Sequence, residues 1–191
     1  APAGGQDEEL GDCILTPGLV NAHTHLDLTM MRGALEDLAF FDWVSTLVRA
    51  KREVLTDDDF RAAALLGVAE GLSRGITTFG DTADNDAALE ALLTLGARGI
   101  AYREVFGPDP DQVTASIEEL TGAVAAMRLR ETSLVRVGVS PHAPYSVSDA
   151  LFAAVGAFAE REGLPLAVHI AESAAEDDLV TKLLVQLVAA D

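Results

Sequence analysis

The chain has 191 residues, 49% of them hydrophobic, which is enough apolar material for one buried core. Its formal net charge of −18 repels phosphate backbones and anionic membrane surfaces, so nucleic acid and acidic lipid are poor partners and a neutral or cationic small molecule is tolerated. The one cysteine, Cys13, excludes an internal disulfide and fits a reducing, cytoplasmic compartment, and no apolar run reaches membrane-spanning length.

Residues 1–10 are polar and read as loop without a signal-peptide pattern; with Ala1 in first place, the natural start is expected upstream. Gly11 to Leu15 reads as a short edge strand before the Pro17-Gly18 turn, and Leu19 to His25 as the first full strand. Leu35 to Arg52 carries apolar residues at helical spacing. Thr56 followed by three aspartates predicts a helix from Asp58 to Ser73, ended by Gly75. Ile76 to Asp81 is the second strand. Asp84 is placed to cap a helix to Leu95, closed by Gly96 or Gly99, and Ile100 to Phe106 is the third strand. A helix over 111–130, a strand over 134–140, a helix over 148–161 stopped by Gly163, a fifth strand over 166–170 and a helix over 172–190 complete the pattern. Five alternations with near-continuous apolar strands predict an α/β protein with a parallel sheet.

His23 and His25 stand at i and i+2 on the first strand, so their rings face one way. Imidazole nitrogen is a good ligand for zinc and its neighbours, although two histidines on a wet strand face are the bland alternative. All four histidines fall at the carboxyl ends of strands: His23 and His25 after the first, His142 after the fourth, His169 on the fifth. In a β/α barrel that rim carries the chemistry. Glu172, three residues past His169, can reach a metal-bound water, whereas Glu176, Asp177 and Asp178 read as a wet helix start. His142, held between Pro141 and Pro144, reads as a substrate hydrogen-bond or proton partner rather than a ligand. Glu104 is open between substrate contact and buried pairing with Arg103 or another arginine. Trp43 reads as core or pocket wall, and Thr77, Thr78 and Asp81 as structural.

Pro17 to His25, Gly75-Ile76-Thr77-Thr78, Ser140 to Tyr145 and His169-Ile170-Ala171-Glu172 together resemble the amidohydrolase superfamily. The branch most similar is that of deaminases and chlorohydrolases, which act on S-adenosylhomocysteine, aminodeoxyfutalosine, guanine and triazines. The resemblance runs from about Leu10 to Glu176. It implies a metal-dependent TIM-type (β/α)8 barrel, of which about five β/α units are present, over residues 17–191. Residues 1–16 are then a remnant of the family's β-sandwich domain or a linker. It further implies His23, His25 and His169 as ligands to one divalent metal, zinc or else iron or manganese, Glu172 as proton shuttle, His142 as catalytic substrate contact, and Trp43 near the base. Glu104 is the third residue assigned to the substrate pocket. The expected reaction is deamination of an adenosine-type nucleoside or purine, against dechlorination, another C–N hydrolysis, or a non-catalytic relative. Homo-oligomerisation is left open. The family also has a histidine after a sixth strand and an aspartate after an eighth, neither of which these residues contain. The chain therefore reads as a piece of a longer enzyme or a shortened form, and alone is expected to bind metal weakly and turn over little.

Overall fold

The computed structural model describes residues 8–188, with side chains described through residue 182. Four strands, β1 (Leu19–Thr24), β2 (Ile76–Ala83), β3 (Arg98–Val105) and β4 (Val135–Pro141), form one parallel sheet in sequence order. Six helices accompany them: α1 (Phe40–Glu53), α2 (Asp57–Ser73), α3 (Ala87–Leu95), α4 (Val113–Arg128), α5 (Asp149–Glu162) and α6 (Ala174–Val188). This is an α/β fold whose parallel strands follow one another as in a barrel, with the barrel not closed. Among the described residues no helix is long and apolar enough to cross a membrane.

Local chemistry explains most boundaries. Thr56 and Asp59 form a reciprocal capping box at the start of α2. Ser148 accepts from the Leu151 amide to start α5, and Gly96 and Gly163 end α3 and α5 in the left-handed conformation. The core forms where the strands meet α2 to α5, around Phe79, Leu89, Leu92, Val124, Met127, Val137, Val139, Leu151 and Val155. Edge strand β1 stays open, with Leu19 60% and Val20 66% exposed, and α1 buries none of its residues.

Several expectations need correction. Gly11 to Leu15 is exposed and irregular, not a strand. Residues 1–7, within the segment 1–16 read as a β-sandwich remnant or linker, and Ala189 and Ala190, within the last predicted helix, lie outside the described residues. Helix α1 starts at Phe40 rather than Leu35, because Gly33 and Asp37 adopt positive φ (80° and 60°), which no helix continues through. Between β1 and α1, Leu26–Met31 forms an unforeseen 3-10 turn. Asp84 does not cap α3: its carboxylate holds Lys51 Nζ at 2.8 Å, and Asn85 Oδ1 accepts from the Ala87 amide instead. Pro110–Gln112 forms a 3-10 turn ahead of α4.

The fifth strand is reduced to a single bridge, Val139 to Leu166. Val139 N–H donates to the Pro165 carbonyl and Ala167 N–H to the Val139 carbonyl, both at 3.0 Å. The next rung would need an N–H at residue 141, and proline has none. The segment still runs beside β4, since His169 N–H donates to the His142 carbonyl at 2.8 Å.

β1 and β2 approach closely at Gly80: a Cβ there would lie 2.5 Å from the Ala22 carbonyl oxygen. Gly80→Ala should destabilise the fold by about 1–3 kcal/mol, read as a lower urea midpoint. Gly122→Ala, in open space on α4, should instead raise the midpoint, by up to about 1 kcal/mol. Equal midpoints for the two variants would contradict the packing described.

Candidate metal centre

His23 lies in β1 and His25 directly after it, and the segment beside β4 delivers His169 to the same rim. Their ring centroids are 5.2 Å (His23–His25), 4.7 Å (His23–His169) and 5.0 Å (His25–His169) apart. One nitrogen of each lies within 4.8 Å of the others, so the three can hold one ion. Residues 144 positions apart in sequence thus meet as nitrogen-to-nitrogen neighbours.

The backbone sets the tautomers. His25 Nδ1 lies 2.8 Å from the Thr82 carbonyl and His169 Nδ1 3.2 Å from the His142 carbonyl. A carbonyl only accepts, so each Nδ1 carries the proton and each Nε2 presents a lone pair. Those two Nε2 atoms face each other at 3.0 Å. Burial, then His169 and His23, pull the His25 pKa down to about 4, so a shared proton does not bridge them at neutral pH. Burial lowers His169 as well. Two lone pairs at this distance repel unless a cation lies between them. Two nitrogens on a tetrahedral zinc stand about 3.3 Å apart, close to the separation found. The residues present therefore fit a divalent metal.

The surroundings hold this arrangement in place. Asp81 is 1% exposed; its Oδ1 accepts from Leu26 N–H at 2.6 Å and Thr24 Oγ1 at 3.0 Å, which ties the end of β1 to β2. Burial pushes its pKa up to about 7. Lys51 of α1 binds Asp84 at 2.8 Å and lies 3.6 Å from Asp27, whose other neighbour is Asn85 Nδ2 at 2.9 Å.

His142 lies at 4.7 Å from both His169 and Phe106 with the rings tilted by 31° and 35°, and burial, then His169, lowers its pKa to about 3. Its Nδ1 lies 2.7 Å from Ser146 Oγ. With Glu104 and His169 it makes a second group whose donor atoms lie within 4.8 Å, overlapping the first at His169. Glu104 pairs with no arginine among the described residues, and Arg103 goes to Asp86 instead. One Glu104 oxygen, 3.8 Å from His169 Nδ1, is buried without a hydrogen-bond partner among the described residues, and burial, then Asp84, pushes this carboxyl up to about 8.

Tyr145 Oη donates to Glu172 at 2.8 Å, and its ring lies 5.7 Å from His142. This is the contact that brings the exposed Glu172 to the site. Trp43 does not touch the histidines directly. It stacks on Phe40 at 6.4 Å, and Phe40 meets Tyr145 edge-on at 5.7 Å, so it forms the far end of an aromatic wall. Sequence reasoning missed Lys51, Asp27, Tyr145's bond and Glu176. Glu176 is not at a wet helix start: it is 2% exposed and its carboxylate is bound by backbone amides. The spacing Ser173-x-x-Glu176 was a readable capping signal for it.

A 5-methylthioadenosine/S-adenosylhomocysteine deaminase of Nitratidesulfovibrio vulgaris is 38% identical over 174 residues, covering 88% of this chain and 39% of that protein. The chain thus spans about two fifths of the length of the curated relatives it matches. Among solved structures, an adenosine deaminase from Xanthomonas campestris with bound zinc superposes with a TM-score of 0.72 at 28% identity, over 84% of this chain and 37% of that one. An atrazine chlorohydrolase from Arthrobacter aurescens, complexed with zinc, shares the fold with a TM-score of 0.72 at 24% identity, over 86% and 43% of the two chains. The amidohydrolase family profile matches residues 14–185, nearly the whole length, and the chain belongs to that family.

Proposed function

We propose that this chain carries the first metal ligands and the proton carrier of a hydrolytic deaminase acting on an adenosine-type nucleoside. The observation that carries the reading is the pair of Nε2 lone pairs of His25 and His169 facing each other at 3.0 Å, with His23 beside them. These three residues hold one divalent cation, zinc ahead of iron or manganese, since three nitrogens in a compact group suit zinc. When bound, such a cation brings the pKa of a water down to about 7.

Glu172 accepts the proton of the attacking water as its oxygen bonds to the amino-bearing ring carbon. It returns that proton to the departing nitrogen, the C–N bond breaks and ammonia leaves, and the proton still on the new ring oxygen passes to the neighbouring ring nitrogen to give the oxo product. Tyr145 Oη holds the Glu172 carboxylate for this task at 2.8 Å. His142 contacts the substrate through Nε2. Its Nδ1 lies 2.7 Å from Ser146 Oγ, which leaves Nε2 as the nitrogen free to meet charge developing on the attacked ring. Glu104, buried with an unpartnered oxygen, binds a polar group of the substrate, and Trp43 lines the outer pocket. The free, exposed Cys13 fits a cytoplasmic setting.

In a polypeptide with a complete barrel, Glu172→Gln should lower the rate of ammonia release from adenosine-type nucleosides by about 10²–10⁴-fold with the bound zinc retained. Near-normal turnover would remove Glu172 from this role. Release of chloride from a triazine, with no ammonia from any nucleoside, would move the reaction to dechlorination. The 191-residue chain alone, with its open sheet edge, should take up zinc only weakly in equilibrium dialysis; tight one-to-one uptake would contradict this.

Neutral imidazoles and buried carboxyls also make the metal-free fold sensitive to pH. Asp81 and Glu104 titrate in the folded state at about 7 and about 8, above their values in an unfolded chain. The folded state therefore binds more protons from about pH 4 upward, and the stability these carboxyls contribute is lost as pH rises from there through 7 to 8. His25 and His142 titrate at about 4 and about 3 when folded, below the ordinary 6.5, so stability also falls as pH drops below that value. The urea midpoint of the metal-free chain should fall between about pH 6.5 and 8, where only these carboxyls titrate, and level off above 8. A midpoint still rising at pH 9 would contradict the burial of these carboxyls.

A further inference from the structure

The turn between His169 and Glu172 is strained, and something buried holds it. Ala171 adopts φ of 59°, a left-handed conformation that a Cβ disfavours. Glu176, one turn into α6 and 2% exposed, directs both carboxylate oxygens back at this turn. Oε1 accepts from Ala171 N–H at 3.1 Å and Oε2 from Glu172 N–H at 2.7 Å. An ordinary capping box would send that carboxylate to the N–H of the cap residue, Ser173. Half of such a box is present, since Ser173 Oγ accepts from Glu176 N–H at 3.1 Å. The other half is displaced by one and two residues, onto the strained alanine and the glutamate itself. Glu172 is thus fixed at both ends: its amide by Glu176 and its carboxylate by Tyr145 Oη.

We propose that Glu176 is a positioning residue for Glu172, its buried carboxylate clamping the amides of Ala171 and Glu172 so that the Glu172 side chain stands at a fixed place beside His169. The proposal rests on the reading of Glu172 as the proton carrier. A glutamine at 176 keeps the shape but can accept at only one of its two terminal atoms, so one of the two amides loses its partner.

The test is a double-mutant cycle in the zinc-loaded polypeptide with a complete barrel, together with amide exchange. Glu176→Gln should lower kcat by about 10- to 100-fold, with KM within about twofold and zinc stoichiometry unchanged. Glu172→Gln with Glu176→Gln should be no slower than Glu172→Gln alone, because the clamp acts only through Glu172. In the metal-free protein one of the two amides, Ala171 or Glu172, should exchange faster in Glu176→Gln than in the parent. Should that variant not fold, the same comparisons in an Ala171→Gly background, where the turn no longer carries a Cβ, give the same expected ratios. An unchanged kcat, a loss of zinc, losses that multiply in the double variant, or unchanged amide exchange would each overturn the clamp. Failure of the underlying reading is seen separately, as turnover retained by Glu172→Gln alone, and it would take this proposal with it.

Discussion

Two backbone carbonyls, of Thr82 and His142, govern this site. Each accepts from a histidine Nδ1 and so leaves the opposite nitrogen unprotonated. Thr82 lies near the end of β2, and His142 directly follows β4. The sheet itself therefore sets which nitrogen of His25 and His169 faces inward. A lone imidazole in water chooses its tautomer freely; here the choice is made by strand register, before any ligand arrives.

The rest of the structure serves that register. Asp81 joins the ends of β1 and β2, and Gly80 lets the two strands come close enough for it to do so. Behind the histidines lies a rim rich in carboxylates, Asp27, Asp84 and Glu104, answered by a single nearby ammonium, Lys51. Burial opposes the charge on Lys51, but Asp84 and Asp27 outweigh it and hold its pKa above the ordinary value. Burial holds Glu104 protonated near neutral pH, so the negative charge acting on the imidazoles comes from Asp84, and a charged carboxylate there favours a cation. The overall charge of −18 acts in the same direction at longer range.

Much of this was legible in the sequence wherever the signal was local. Thr56 with Asp59, Ser148, Gly96 and Gly163 mark helix ends by chemistry that acts within four residues. The i, i+2 spacing of His23 and His25, and the placement of His142 and His169 after later strands, foretold a shared rim because parallel strands put their carboxyl ends on one side. What escaped was set by contacts between distant segments or by a single missing donor. Pro141 breaks the ladder that would have made residues 166–170 a strand, although the hydrophobic pattern there is that of one. Asp84 has the composition of a helix cap but is claimed by Lys51, 33 residues away. Glu176 is the exception: its contacts are local and the Ser173-x-x-Glu176 spacing marks it, but it sits in a run of acids that composition assigns to solvent.

The central claim is that His23, His25 and His169 share one cation through nitrogen. X-ray absorption at the zinc edge, on zinc-loaded protein with a complete barrel, tests it most directly. The account predicts nitrogen and oxygen scatterers at about 2.0–2.1 Å, with an imidazole outer-shell signal that weakens by about one ring in His169→Ala. A sulfur shell near 2.3 Å, or an imidazole signal unchanged by loss of His169, would contradict it.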